Sequence, residues 1–222
     1  MRILVVEDER QVAELLRDVL AELGHEPRLA ATAEAGVAAL TRDSFDAVLL
    51  DIRLPRMTGL DLLRAGTIQE RRTRVICISG AATEAEVRMS LQLGATDFLQ
   101  KPVSMDLMRH VLHYTQGLDA PSKPGAERRR STRRPLAIPV RIVESGLPPW
   151  ETTSIDLGVF GMKVHGQAPR PRGHLVKLSF RPPDGGGELE MLALSVWRDA
   201  NSQAFRFANL SAPTYERLTQ LV

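Results

Sequence analysis

"DAVLLDIRLPRMTGLDLL", residues 46–63, decides the fold of the first half of the chain. An apolar run ends on an acid, Asp51, and a helical stretch starts near Gly59. That is half of a β/α unit. The pattern repeats on both sides. "RILVV" opens the chain and "QVAELLRDVLAELG" follows, with Val12, Leu15, Leu16, Val19, Leu20 and Leu23 at helical spacing and Gly24 as the stop. "PRLAA", "RVICIS" and "DFLQ" are further strand-like runs, and further helices start near Ala33, Thr83 and Ser104. Five β/α repeats over about 118 residues predict a doubly wound parallel sheet of five strands. Ligands of such sheets sit at the carboxyl ends of the strands, beside the topological switch point.

Chemistry-bearing residues collect at those ends. Glu7 and Asp8 follow the first strand, Asp51 ends the third, Ser79 the fourth and Lys101 the fifth. Taken singly, an acid at a strand end reads first as a solvated loop residue. Together, three carboxylates in one crevice repel one another unless a cation joins them. An all-oxygen set favours magnesium with several waters retained. A hydroxyl and an ammonium facing the same point suit a phosphoryl group. The residue types therefore describe an aspartate that accepts phosphate with magnesium help.

"VVEDE", "LLDIRLPRMTGLDLL", "CISG" and "LGATDFLQKP" stand in order through residues 1–118, which resembles the receiver domain of two-component response regulators (a flavodoxin-like fold). The resemblance implies that Asp51 is the phosphoacceptor. It implies that Glu7, Asp8, Asp51 and the backbone carbonyl of Arg53 hold Mg2+, and that Ser79 and Lys101 contact the phosphoryl group. Phe98 falls at the aromatic switch position and reads as core as readily as switch. Tyrosine is common there in relatives, and phenylalanine lacks its hydroxyl. The Lys101–Pro102 bond resembles one that is cis in the family. The small Gly80 and Ala81 leave room for water, which implies a short-lived phosphate.

The 222 residues suit two domains of ordinary soluble composition, 43% hydrophobic and 25% charged. The formal charge of +2 conceals an asymmetry. Residues 1–118 hold 14 Lys+Arg and 17 Asp+Glu, and residues 119–222 hold 15 and 10. The second half is basic, by too little to demand a polyanion. Cys77, the one cysteine, lies in an apolar run and reads as a small buried hydrophobe. No stretch approaches the ~20 apolar residues of a membrane span and no signal peptide is evident, so a cytoplasmic protein without membrane insertion is expected.

"DAPSKPGAE", 119–127, reads as a linker between a domain at 1–118 and one at 128–222. "RRRSTRR", 128–134, opens the second domain. Short apolar runs near 135–144, 151–156, 161–165, 174–181, 188–198 and 204–210 are separated by "SGLPP", "GQAPRPRG" and "RPPDGGG". They predict a small antiparallel six-stranded β-barrel, and "PTYERLTQLV" a C-terminal helix. No helix-turn-helix pattern follows the arginines. Without interleaved aromatics the basic segment does not read as a specific DNA binder.

Arginines at the barrel entry, with "DLGVFG" at 156–161 between two strands, resemble the PilZ domain, a bacterial receptor for cyclic di-GMP. The family pattern RxxxR then (D/N)xSxxG falls on Arg129 and Arg133, then on Asp156, Gly158 and Gly161. The resemblance implies that these five residues bind cyclic di-GMP, with Arg128, Arg130 and Arg134 as candidate helpers. Arginine's planar fork suits both guanine edges and phosphate, and aspartate accepts from guanine donors. Gly158 departs from the pattern, which has serine there. Trp197 offers a ring that would stack on a ligand, but a place in the barrel core is the expectation.

The combined expectation is a non-enzymatic response regulator. Its kinase partner is a sensor histidine kinase or phosphotransfer protein, and its output is a cyclic di-GMP-binding barrel acting on a protein target in motility or surface behaviour. The alternative is an adaptor whose barrel has lost the nucleotide.

Overall fold

The computed structural model describes residues 1–66, 73–116, 132–144, 146–166, 174–199 and 201–222. They fall into two compact units, Met1–Gln116 and Gly117–Val222. The 119–127 linker lies outside the described residues, as do Arg128, Arg129 and Arg130.

The first unit runs β1 (Arg2–Val6), α1 (Arg10–Glu22), β2 (Glu26–Ala30), α2 (Ala33–Arg42), β3 (Ala47–Asp51), α3 (Gly59–Arg64), β4 (Arg74–Ser79), α4 (Glu84–Gln92), β5 (Asp97–Gln100) and α5 (Met105–Gln116). All strand pairs are parallel, in the order β2-β1-β3-β4-β5. β1 and β3 are buried on both faces, with Ile3, Leu4, Val5, Val6 and Ala47–Leu50 wholly inaccessible. This is why both read as unbroken apolar runs rather than alternating ones. Strand order reverses between β1 and β3, so the crevice opens there.

Two helix starts are fixed by reciprocal caps. Thr58 accepts from the Asp61 amide while Asp61 caps Thr58, and Thr83 and Glu86 do the same for α4. Gly59 has a separate reason. A Cβ there would lie 2.2 Å from the Asp51 carbonyl oxygen. Only glycine lets α3 start against the end of β3.

The second unit is β6 (Arg133–Pro135), β7 (Pro139–Val143), β8 (Trp150–Gly158), β9 (Gly161–His165), β10 (Leu175–Phe180), β11 (Leu189–Arg198), β12 (Ser202–Ala208) and α6 (Ala212–Leu221). The ladder β8-β7-β10-β11-β12-β9 closes through β8–β9 pairing, giving the expected antiparallel six-stranded barrel and C-terminal helix. β6 adds three residues to the flank of β8. Phe205, Phe207, Phe180, Leu157, Met162 and Val164 fill the interior. α6 is capped by Ser211, which accepts from the Thr214 amide, and buries Tyr215, Leu218 and Leu221.

Trp197 is not in the core. β11 bulges between Ser195 and Trp197, so the half-buried indole lies on the outer face, with the Lys163 ammonium 5.1 Å from its ring centre.

Candidate functional sites

The crevice of the first unit brings together four of the predicted side chains. Glu7, Asp8 and Asp51 each offer a carboxylate oxygen within 4.8 Å of the others. The Lys101 Nζ lies 2.6 Å from Asp51 Oδ2 and 2.6 Å from Glu7 Oε2. Glu7 and Asp51 are buried, and Asp8 is exposed at the mouth. Burial pushes the Glu7 carboxyl up, against the pull of the Lys101 ammonium. Burial works against the charge on Lys101 too, but its hydrogen bonds to Asp51 and Glu7 outweigh that and raise its pKa.

Two buried atoms here, Glu7 Oε1 and Ser79 Oγ, make no hydrogen bond among the described residues. An orphaned polar atom in a wholly inaccessible residue is costly. The arrangement suits a hard divalent cation on the carboxylates and an oxyanion at the Ser79–Lys101 side. Asp51 and Ser79 are held at this spacing because they end the adjacent strands β3 and β4, and Lys101 directly follows β5. The Lys101–Pro102 peptide is cis.

Arg53 donates its amide to Asp51 Oδ1 at 2.7 Å. Its guanidinium reaches the Ala81 carbonyl at 2.9 Å and Glu86 at 3.0 Å, tying the β3–α3 loop to the β4–α4 loop. Phe98 is fully buried on β5, opposite Cys77. Burial pushes the Cys77 thiol up to about 12, so the cysteine is an inert core residue.

On the barrel, Arg133 Nη1 contacts Asp156 Oδ1 at 2.5 Å. Arg133 pairs with Gly158 across β6–β8, and Gly158 with Gly161 across the β8–β9 hairpin. Arg134 alternates with Arg133 and turns to the other face of β6. A Cβ on Gly161 would lie 2.3 Å from the Phe205 carbonyl oxygen. This glycine is therefore demanded by the approach of β12, whatever else it does. Gly158 is not among the positive-φ glycines of the described residues. Phe160, inside the motif turn, packs on Tyr215 of α6 with ring centres 6.1 Å apart.

A model of the response regulator receiver domain matches residues 3–113, half of the chain. The chain belongs to the response regulator receiver family. A PilZ domain model matches residues 127–222, so a receiver is followed by a PilZ domain. Among curated relatives, the transcriptional regulatory protein DltR of Streptococcus agalactiae serotype III is 35% identical over 106 residues, covering 48% of this chain and 47% of that protein. Hybrid signal transduction histidine kinase G of Dictyostelium discoideum is 32% identical over 118 residues, which is 51% of this chain and 3% of that one. The chain thus spans under half the length of either. A two-component response regulator from Clostridium difficile superposes with a TM-score of 0.50 at 18% identity, over 52% of this chain and 95% of its own, and so shares the receiver's fold.

Within this receiver, sequence reasoning missed the Arg53 side chain and the packing need at Gly59. The signal for Gly59 was present, since a glycine opening a helix directly after a functional strand end implies close approach. Nothing local marked Glu86 as Arg53's partner, 33 residues away. No described helix is long and apolar enough to cross a membrane.

Proposed function

We propose that the receiver is phosphorylated on Asp51 by a sensor histidine kinase or phosphotransfer protein, and that the PilZ barrel binds cyclic di-GMP and relays the signal to a protein target in the cytoplasm. The observation that carries the first half is the Lys101 ammonium lodged between Asp51 and Glu7, beside the unpartnered Ser79 hydroxyl. In the transfer, an Asp51 oxygen forms a bond to phosphorus while the phosphohistidine P–N bond breaks, its electron pair returning to the imidazole. Lys101 and the Ser79 hydroxyl offer charge and a hydrogen bond to the phosphoryl oxygens. Glu7, Asp8, Asp51 and the Arg53 carbonyl would hold Mg2+, which supplies further positive charge to the transferring group. The reaction loads a signal and involves no turnover of a metabolite.

For the barrel, Arg133 and Asp156 meet on the outer face with Gly158 and Gly161 beside them. Arg129 would complete the arginine pair. Gly158 in the place of serine favours the adaptor as a second reading, a barrel that docks a protein without nucleotide. Calorimetric titration of the whole chain with cyclic di-GMP separates the two. Saturable binding that weakens about 10- to 100-fold in Arg133→Ala, the scale of a charge-assisted contact, supports the receptor. Absence of binding by the wild-type chain leaves the adaptor.

A further inference from the structure

Both oxygens of Asp51 are engaged before any phosphate arrives. Oδ2 takes the Lys101 ammonium at 2.6 Å, and Oδ1 takes the Arg53 amide at 2.7 Å. The Arg53 backbone is thus in contact with the acceptor, while its side chain reaches elsewhere. One guanidinium nitrogen, Nη2, donates to the Ala81 carbonyl at 2.9 Å and to Glu86 Oε2 at 3.0 Å. Glu86 Oε2 is the same oxygen that accepts from the Thr83 amide and the Thr83 hydroxyl, each at 2.8 Å, in the cap that starts α4. A short path through one arginine therefore joins the phosphate acceptor to the first turn of α4.

The far end of that path is weakly held. The Arg53 side chain is 54% exposed and that of Glu86 25%, and an exposed ion pair of this kind contributes little. Glu86 does not depend on it. The Thr83 amide, then the Thr83 hydroxyl, hold the Glu86 carboxyl below the ordinary carboxylate range, ahead of any pull from Arg53. Glu86 can therefore lose the arginine and keep its charge. A phosphoryl group on Asp51 would bring about two negative charges and three acceptor oxygens close to this guanidinium. Arginine's planar fork meets such a group with two donors, where Glu86 offers it one oxygen already shared with Thr83. On charge and on donor count, phosphate is the better partner. Phe98, wholly buried on β5, has no polar side-chain atom with which to answer that charge.

We propose that Arg53 is a phosphorylation-sensitive latch. In the unloaded chain it ties the β3–α3 loop to the first turn of α4 through Glu86 and Ala81. Loading of Asp51 draws its guanidinium onto the phosphoryl oxygens and frees that turn. The latch rests on the phosphorylation of Asp51 proposed above. It makes the start of α4 the element of this receiver whose mobility follows the state of Asp51. Arg53 is here a positioning residue: it holds or releases a turn on another loop. The reciprocal Thr83–Glu86 cap remains in both states, so α4 loosens at its first turn without unwinding.

The test is amide hydrogen exchange on the full chain, read by mass spectrometry over residues 83–87. It is run before and after loading with Mg2+ and acetyl phosphate, whose acetate leaves as the Asp51 oxygen bonds to phosphorus. Intact mass reports the loading in the same samples. The variants are Arg53→Ala, Glu86→Gln, the two together and, as a charge control, Arg56→Ala. Arg56 belongs to the same loop, and its ion-pair partner is Glu34 on α2. Glutamine keeps the cap and gives up the charge. Loading should speed exchange of this segment about two- to fivefold in the wild-type chain, the scale of one exposed ion pair. Unloaded Arg53→Ala and Glu86→Gln should already exchange faster by that factor and respond little to loading. Together they should add nothing, since both remove one contact. Glu86→Gln should load like the wild type, so a folding failure of Arg53→Ala leaves the test intact. Arg56→Ala should match the wild type in both states. A loaded wild-type chain with unchanged exchange over residues 83–87 overturns the latch and leaves the phosphorylation of Asp51 standing. A response to loading that persists in Arg53→Ala and Glu86→Gln also overturns it. Faster exchange in unloaded Arg56→Ala does the same, since the effect is then one of net charge. A wild-type chain that takes up no phosphate overturns both.

Discussion

The receiver crevice and the barrel face hold similar residue types, acids beside a cation, in opposite states of assembly. In the crevice, Lys101 touches two carboxylates at once, both buried, and each side chain is fixed by the end of a different parallel strand. On the barrel, Arg133 and Asp156 meet at 34% and 24% exposure, on adjoining strands beside the buried backbone of Gly158 and Gly161. The contrast follows from the work proposed for each. Forming and breaking a covalent bond needs atoms held at near-attack distance before the partner arrives. Reversible capture of a small anion needs matched charge over a wider area and tolerates a surface that closes on binding.

The largest effect expected is on the assembled side. Lys101→Ala removes the only ammonium in contact with Asp51 among the described residues, and should slow phosphate loading from acetyl phosphate by about 10²–10³, the scale of losing one preorganised charge contact. Loading followed by intact-protein mass spectrometry measures it. A near wild-type rate would mean that the crevice is less committed than its geometry.

Next in size is Gly158→Ser on the open side. Gly158 lies in a strand without positive φ among the described residues, so serine meets no backbone strain there. A new neutral hydrogen bond alone would tighten cyclic di-GMP about three- to tenfold. Gly158 is buried, so crowding of the new side chain against its neighbours would cancel that gain. The same titration decides between the added bond and the crowding.

The smallest effect concerns the strut behind that face. Arg217 grips Asp184 through two hydrogen bonds and donates to the Gly187 carbonyl, tying α6 to the β10–β11 loop. The Arg217 guanidinium holds the Asp184 carboxyl down to about 2, from an ordinary 3.8. A depressed acid stabilises the fold above its unfolded pKa and loses that contribution as pH falls through its folded one. The melting-temperature gap between wild type and Arg217→Ala should therefore be steady above about pH 5 and narrow as pH falls from 4 toward 2. A gap independent of pH would show that the arginine acts by packing.

The two regions also differ in how far the sequence revealed them. Asp51, Ser79 and Lys101 each stand at the end of an apolar run, so once the parallel sheet was recognised their convergence followed from topology. The barrel motif could be found but not built. Its strands were countable from glycine and proline punctuation, yet which strands adjoin β8 on the outer face depends on closure between β8 and β9, which no local pattern states. Trp197 was misplaced for a related reason. Strict alternation along "ALSVWR" puts Trp197 inward with Ser195, and one bulged residue reverses that.

The central claim is tested most directly by incubating the chain with acetyl phosphate and Mg2+ and weighing the intact protein beside Asp51→Asn. The account predicts a mass gain of one phosphoryl group in the wild-type chain, dependent on Mg2+, and none in the variant, because an amide forms no acyl phosphate. Equal phosphate incorporation in Asp51→Asn, or none in the folded wild-type chain under conditions that load other receivers, would contradict it.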